Sequence, residues 1–329
     1  MNTYLKTFIV SVLCLFVLAA CGNSEKEKVS NEPAKSASED QTITIKHAMG
    51  ESSLPEQPKR VVILTNEGTE ALLAMGVKPV GAVQSWLGDP WYDHITDKME
   101  GVELVGTEME VNLEKIAQLQ PDLIIGNKVR QEAIYDKLNA IAPTVFAETL
   151  TGKWKDNFSL YAQALNLEEK GAEVLAQYDA HVEEVKSNLG DKVNQSVSVV
   201  RFLAGTSYLY YVDSFSGTIF EQVGFKRAEH QAELFGADNK YGNLSTEVGK
   251  ELIPKMDADL LFYYTYAPNG DKAAYDTATE WTSDPLWKKL NAVQQGKAYE
   301  VSDAIWNTAG GVLAANQMLD ELEELVLQK

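Results

Sequence analysis

Only four arginines occur in the 329 residues: Arg60, Arg130, Arg201 and Arg227. Lysine supplies the rest of the positive charge. A guanidinium is planar and presents its donors as a fork, so it grips a planar carboxylate through two hydrogen bonds where an ammonium offers a point charge. Each arginine's context therefore carries information. Arg130, in GNKVRQEAIYDKL, stands just past the carboxyl end of an apolar strand, and Arg201, in SVVRFL, stands inside another. Arg60 follows Pro58 and Lys59 at the start of the folded body and reads as structural, and Arg227, in GFKRAEHQ, reads as solvated. The formal net charge of −19 repels nucleic acid and anionic lipid, so any site for an anion has to be locally basic.

Aromatic and amide side chains accompany the two strand-end arginines. Trp86 and Trp91 lie in QSWLGDPWYDHI after a second strand, and Trp306 and Asn307 lie in DAIWNTAGG in the corresponding part of the second half. Tyr208, Tyr210 and Tyr211 belong to an expected hairpin, and Tyr266 is the last of three tyrosines that end a buried strand. Most tryptophans are core residues; loop position is what makes Trp86 and Trp306 candidates for a ligand surface. Metal and enzyme chemistry have less support. His47, His94, His181 and His230 are widely spaced and form no pair with ligand spacing. No Gly-x-Ser-x-Gly, phosphate loop or Gly-x-Gly-x-x-Gly is present. The expectation is a binding protein with no catalytic residue, no metal of its own and no cofactor.

The two cysteines, Cys14 and Cys21, belong to the N-terminus. Lys6 precedes an apolar run from Phe8 to Ala20, too short for a comfortable membrane span and ending in small residues, the pattern of a signal peptide over 1–20. Leu18-Ala19-Ala20-Cys21 resembles a lipobox, which implies cleavage before Cys21 and acylation of its thiol. Cys14 would leave with the signal, so the mature chain has no free thiol for a disulfide or a metal site. Residues 21–41 are rich in Ser, Glu and Lys and read as a tether without a core. The folded body then begins near Thr42.

Positioning falls to an α/β pattern. Val61 to Leu64, a helix from Glu67 to Met75 and Val77 to Val83 form a βαβ unit; Asn112 caps a helix that feeds Leu123 to Ile125. A helix from Leu167 to a stop at Gly190 has apolar residues at helical spacing and is about 33 Å long at 1.5 Å per residue. Beyond it the βα pattern restarts. Glu114 to Ile125 and Glu251 to Phe262 align without a gap, each a helix feeding a buried strand. The expected organisation is an N-terminal lobe (42–165), one long linking helix (166–190) and a similar C-terminal lobe (191–329). Ligands of such open sheets bind outside the carboxyl ends of the strands.

The segments PKRVV, EALLAMGVKPVG, LEKIAQLQPDLIIG, YDKLNAIAPTV, DPLWKKLNAVQQGKAYEV and WNTAGGVLAANQMLDEL resemble the substrate-binding lipoproteins of ABC importers for iron-siderophores and cobalamin, from Lys59 to Leu322. Within them the likeness is to Bacillus-type ferric-citrate-binding lipoproteins. The resemblance implies two α/β lobes on a helical backbone, with a shallow cleft. It implies a ferric chelate as ligand, ferric citrate or a citrate- or carboxylate-type siderophore, with a hydroxamate siderophore, haem or cobalamin as alternatives. Iron then arrives inside the chelate. Arg130 and Arg201 match positions of ligand-binding arginines, with Trp86, Trp306, Asn307 and Tyr266 as candidate neighbours. The implied partners are an ABC permease with its ATPase, and the outer face of the bacterial cytoplasmic membrane through the acylated cysteine. Glu70 matches a permease-docking glutamate; Glu221 is its expected counterpart in the second lobe, with Glu229 and Glu233 as rivals. A surface lipoprotein with an adhesive or enzymatic role explains the anchor but not the two lobes.

Overall fold

A computed structural model describes residues 42–327, so the signal segment, Cys21 and the tether lie outside the described residues. The chain enters through an antiparallel hairpin, β1 (Thr42–His47) and β2 (Gly50–Pro55). Then come β3 (Val61–Ile63), α1 (Asn66–Ala74), β4 (Gly81–Ala82), β5 (Glu103–Leu104), α2 (Leu113–Gln118), β6 (Leu123–Asn127), α3 (Lys128–Gln131), α4 (Tyr135–Asn139) and β7 (Thr144–Ala147). The five strands after the hairpin form a parallel sheet in the order β5-β4-β3-β6-β7. Every residue of β3, β6 and β7 is buried, as a sheet covered on both faces requires, which is why these strands read as unbroken apolar runs.

Two helices leave this lobe, α5 (Trp154–Ala164) and α6 (Glu168–Leu189). The buried positions of α6, Gly171, Tyr178, Val182, Val185 and Leu189, recur at intervals of three, four and seven and make one stripe. Gly171 lets α5 and α6 approach closely: a Cβ there would stand 2.6 Å from the Cβ of Ala162.

The second lobe comprises β8 (Ser196–Leu203), β9 (Thr206–Tyr210), α7 (Phe215–Val223), β10 (Lys226–Arg227), β11 (Ser245–Val248), β12 (Leu260–Thr265), α8 (Lys272–Thr282), α9 (Asn291–Gln294) and β13 (Ala298–Glu300). Its sheet runs β11-β9-β8-β12-β13, with β10 beside the start of β8. β8, β12 and β13 are parallel; β9 is the antiparallel hairpin partner of β8, and Gly205 takes φ +74° in the turn. A last helix, α10 (Val312–Leu327), packs on α1 and α6. The result is two α/β lobes joined by one long helix. β6 and β12, the strands of the internal echo, each lie next to the first strand of their own sheet. Pro254 makes the segment feeding β12 a 3-10 turn rather than a second α2.

Candidate functional site

A cavity of about 330 Å³ opens at the carboxyl ends of the strands and draws its walls from both lobes. Its polar equipment is two arginine units. In the first lobe, Asn127 ends β6 and its side chain accepts from the backbone N–H of Val129, turning the chain so that Arg130 reaches the cavity. Arg130 Nε lies 3.5 Å from Glu108 Oε2, and its guanidinium carbon is 5.8 Å from the ring centre of Trp86. Glu108 is itself fixed: Oε1 accepts from the backbone N–H of Asn66 at 2.7 Å and from its side-chain amide at 2.8 Å.

In the second lobe, Arg201 projects from β8. Nε and Nη2 donate to the two carboxylate oxygens of Asp303 at 2.6 and 3.1 Å, and Nη1 donates to the Tyr210 hydroxyl at 2.9 Å. The guanidinium carbon sits 4.6 Å from the centre of the Tyr266 ring. Burial works against the Arg201 charge, but Asp303 and the surrounding tyrosines outweigh it and raise its pKa. Asp303 is pushed up by burial and pulled back by Arg201. Each lobe thus contributes an arginine, a buried carboxylate that holds it and an aromatic face beside it. Leu150, Leu203, Phe215 and Leu244 supply apolar wall between the two units.

A second carboxyl group lines the cavity beside Glu108. Glu67, in the first turn of α1, lines it while only 6% exposed. Its Oε1 accepts from Asn157 Nδ2 at 2.6 Å and from the Tyr161 hydroxyl at 3.0 Å. Burial pushes its pKa up to about 8, against the pull of those two donors.

Of the residues singled out from sequence, Arg130, Arg201, Trp86, Asn307 and Tyr266 line this cavity. Trp306 does not. It is fully buried, stacks on Phe262 with ring centres 4.8 Å apart and donates from its indole N–H to Glu321 at 2.6 Å. Its role is to anchor the π-helical turn Ala304–Thr308, from which Asn307 and Thr308 reach the cavity wall. Glu70 is also displaced from its expected docking role. Its side chain is fully buried: Oε2 accepts from the backbone N–H groups of Leu313 and Ala314, each at 2.9 Å, and Oε1 meets His94 Nε2 at 2.5 Å. A carboxylate that caps α10 from inside the molecule has no surface to offer a permease. Glu221 is exposed, near the end of α7. Arg227 is a further correction. Rather than solvated, its guanidinium is enclosed, bonded to the Tyr210 carbonyl and beside the Tyr211 ring, and burial lowers its pKa to about 10. Among the described residues no three His, Cys, Asp or Glu side chains are grouped so as to hold a metal ion.

The carboxyl groups that sequence reasoning missed are Glu67 and Glu108, which line the cavity, and Asp303, which holds Arg201 from behind it. In a chain with 48 acidic residues a lone Asp or Glu carries no signal. Glu108 and Asp303 are recognisable only as partners of arginines 22 and 102 positions away in the chain.

Residues 61–304 match the family described as periplasmic binding protein. The probable siderophore-binding lipoprotein YfiY of Bacillus subtilis is 55% identical over 329 residues, covering 100% of this chain and 99% of that one. The Fe(3+)-citrate-binding protein YfmC of the same organism is more distant, 31% identical with 100% of both chains covered. Among solved structures, SirA of Staphylococcus aureus complexed with staphyloferrin B superposes with a TM-score of 0.78 at 35% identity, covering 87% of this chain and 99% of that one.

Proposed function

The chain belongs to the periplasmic binding protein family, and on that premise we propose that it is the siderophore-binding lipoprotein of an ABC iron importer, capturing a ferric chelate rich in carboxylate or hydroxycarboxylate oxygens. The carrying observation is the pair of arginine units facing one cavity. A ferric chelate of this kind is polar and anionic. Each guanidinium keeps N–H donors beyond those spent on its internal carboxylate, and Trp86 and Tyr266 give apolar faces for the ligand backbone. Glu108 and Asp303 hold the forks in place before the ligand arrives, which reduces the entropy lost on binding. Likeness to the siderophore lipoprotein and to the staphyloferrin B complex supports this reading, and the weaker likeness to the ferric-citrate protein keeps ferric citrate among the candidates. Anchoring through an acylated Cys21 to the outer face of the cytoplasmic membrane completes the proposal, and no catalytic step is involved.

Tryptophan-fluorescence titration tests it. Trp86 stands in the cavity, so ferric staphyloferrin B or ferric citrate should quench emission saturably, and Trp86→Phe should remove most of that quenching. A panel in which haem or cobalamin binds and neither ferric chelate does would overturn the ligand class.

Delivery to a permease requires a docking surface, and we place it on the cleft side of the lobes, where the chelate is held. Glu70 is enclosed, and Glu221 lies in the last turn of α7, which leads to β10 at the amino end of β8. The internal echo relates Glu114 and Glu251, both exposed and without an ion-pair partner among the described residues. Glu114 opens α2 beside Asn112, whose N–H bonds to Val105 just past β5. Glu251 follows β11, whose Val248 pairs with Ser207 opposite Phe202 near the carboxyl end of β8. Both therefore stand at the edge where the cavity opens, one per lobe. Exposed single charges add little to folding. Glu114→Ala with Glu251→Ala should leave chelate affinity unchanged and abolish cellular iron uptake at matched surface abundance; Glu221→Ala should not. The reverse outcome would return docking to α7.

A further inference from the structure

The charges around the cavity do not add up to a receptor for an anion. Arg130 is paired with Glu108 and Arg201 with Asp303, so the two cations are balanced before any ligand enters. Glu67 then stands in the same wall with no lysine, arginine or histidine paired to it among the described residues. The ionisable groups that face it are Glu70 on its own helix, Glu108 on the loop after β5 and Tyr161 on α5; none is a cation. An ionised Glu67 would confront an anionic chelate with a like charge in a low-dielectric site.

Burial and the neighbouring carboxylates Glu108 and Glu70 work against an ionised Glu67, and the hydrogen bonds show which oxygen is left to carry a proton. Oε1 accepts from both Asn157 and Tyr161, as a carbonyl oxygen does. Oε2 has no hydrogen-bond partner among the described residues, and the side chain lines the cavity. In the neutral form Oε1, which already takes two donors, is the carbonyl oxygen, and the proton sits on Oε2, where it is free to be donated.

Resting on the chelate-binding reading above, we propose that Glu67 is a ligand-binding residue that meets the chelate as a neutral carboxyl group, donating a hydrogen bond from Oε2 to an anionic oxygen, so that capture takes up a proton from solvent. The burial that pushes the free carboxyl up to about 8 makes the pH window accessible. Below about pH 7 the group is already protonated and binding takes up little. Above pH 8 the free protein has lost the proton, the bound one regains it, and affinity weakens with rising pH, toward tenfold per unit.

Isothermal titration of the full chain with ferric staphyloferrin B or ferric citrate at pH 8.5, in two buffers of different ionisation enthalpy, reads the proton count directly. Wild type should take up a substantial fraction of a proton per chelate bound. Glu67→Gln keeps a neutral donor at this place; it should take up none from this residue, and its affinity should stay flat between pH 7 and 9 relative to wild type. Chelate binding without proton uptake by wild type, or with a pH slope shared by Glu67→Gln, overturns the assignment and leaves the proposed function standing. Wild-type affinity that rises with pH, and is lost in Glu67→Gln, overturns it in favour of an ionised Glu67 paired with a cationic ligand group. Failure of every ferric chelate to bind overturns both readings together. The wild-type proton count needs no variant, so the test survives a Glu67→Gln protein that folds poorly.

Discussion

Arg201→Ala is expected to lose ligand affinity and fold stability together, whereas Arg130→Ala loses affinity alone. A charge-assisted hydrogen bond contributes roughly 1.5–3 kcal/mol, so removing either guanidinium should weaken chelate binding about tenfold to a hundredfold. The stability difference follows from what each removal leaves behind. The Asp303 side chain is 1% exposed and Arg201 12% exposed, so Arg201→Ala strands a carboxylate in the interior. Stranding one partner of a buried pair costs about 3–5 kcal/mol. Arg130 is 32% exposed, its contact with Glu108 is a longer 3.5 Å, and Glu108 keeps its two bonds from Asn66. Denaturant unfolding of the two variants, set beside calorimetric affinities, checks the split. Arg201→Lys sharpens it: the charge is kept but the fork that spans both Asp303 oxygens is gone, so stability should recover more than affinity. Equal stability for Arg201→Ala and Arg130→Ala would mean that Asp303 is held by something other than this ion pair.

These arginines could be placed from sequence because a strand's carboxyl edge is legible in a chain of this class. The apolar runs that become β6 and β8 show where the sheets end, and a rare residue at such an end stands out. Trp86, Asn307 and Tyr266 follow the same logic, since each lies just past a strand or in the turn that faces one. The same logic failed at Trp306, one residue from Asn307, because a π-helical turn sends consecutive side chains in different directions. It failed more deeply at α1. The docking role expected of Glu70 requires this helix to show it to solvent, yet every residue from Asn66 to Leu72 is buried. The cover is α10, which arrives from the far end of the chain, and no local pattern announces it. Whether a glutamate near residue 70 is solvated is decided by packing some 240 positions later.

That covering contact carries the largest structural prediction. Glu70→Ala should destabilise the protein by about 3–5 kcal/mol, the cost of breaking a buried charged contact from one side. Three groups lose their partner at once: the backbone N–H groups of Leu313 and Ala314 and the His94 ring. The two amides are the second and third of α10, those that a capping side chain ordinarily satisfies from the preceding residue. That residue here is Gly311, which has no side chain to give. It cannot carry one either, since a Cβ on Gly311 would lie 2.6 Å from both Cβ and Oε2 of Glu70. A carboxylate from the first lobe therefore caps a helix from the opposite end of the chain, directly after the Asn307 to Gly310 stretch of cavity wall. Gly311→Ala should reproduce the defect without changing any charge, and Glu70→Gln should fall between, since its amide oxygen can still accept from α10. Thermal or denaturant unfolding of the three purified variants measures this. A fully stable Glu70→Ala protein that binds chelate normally and fails only in cellular uptake would contradict the capping role and restore Glu70 to the docking surface.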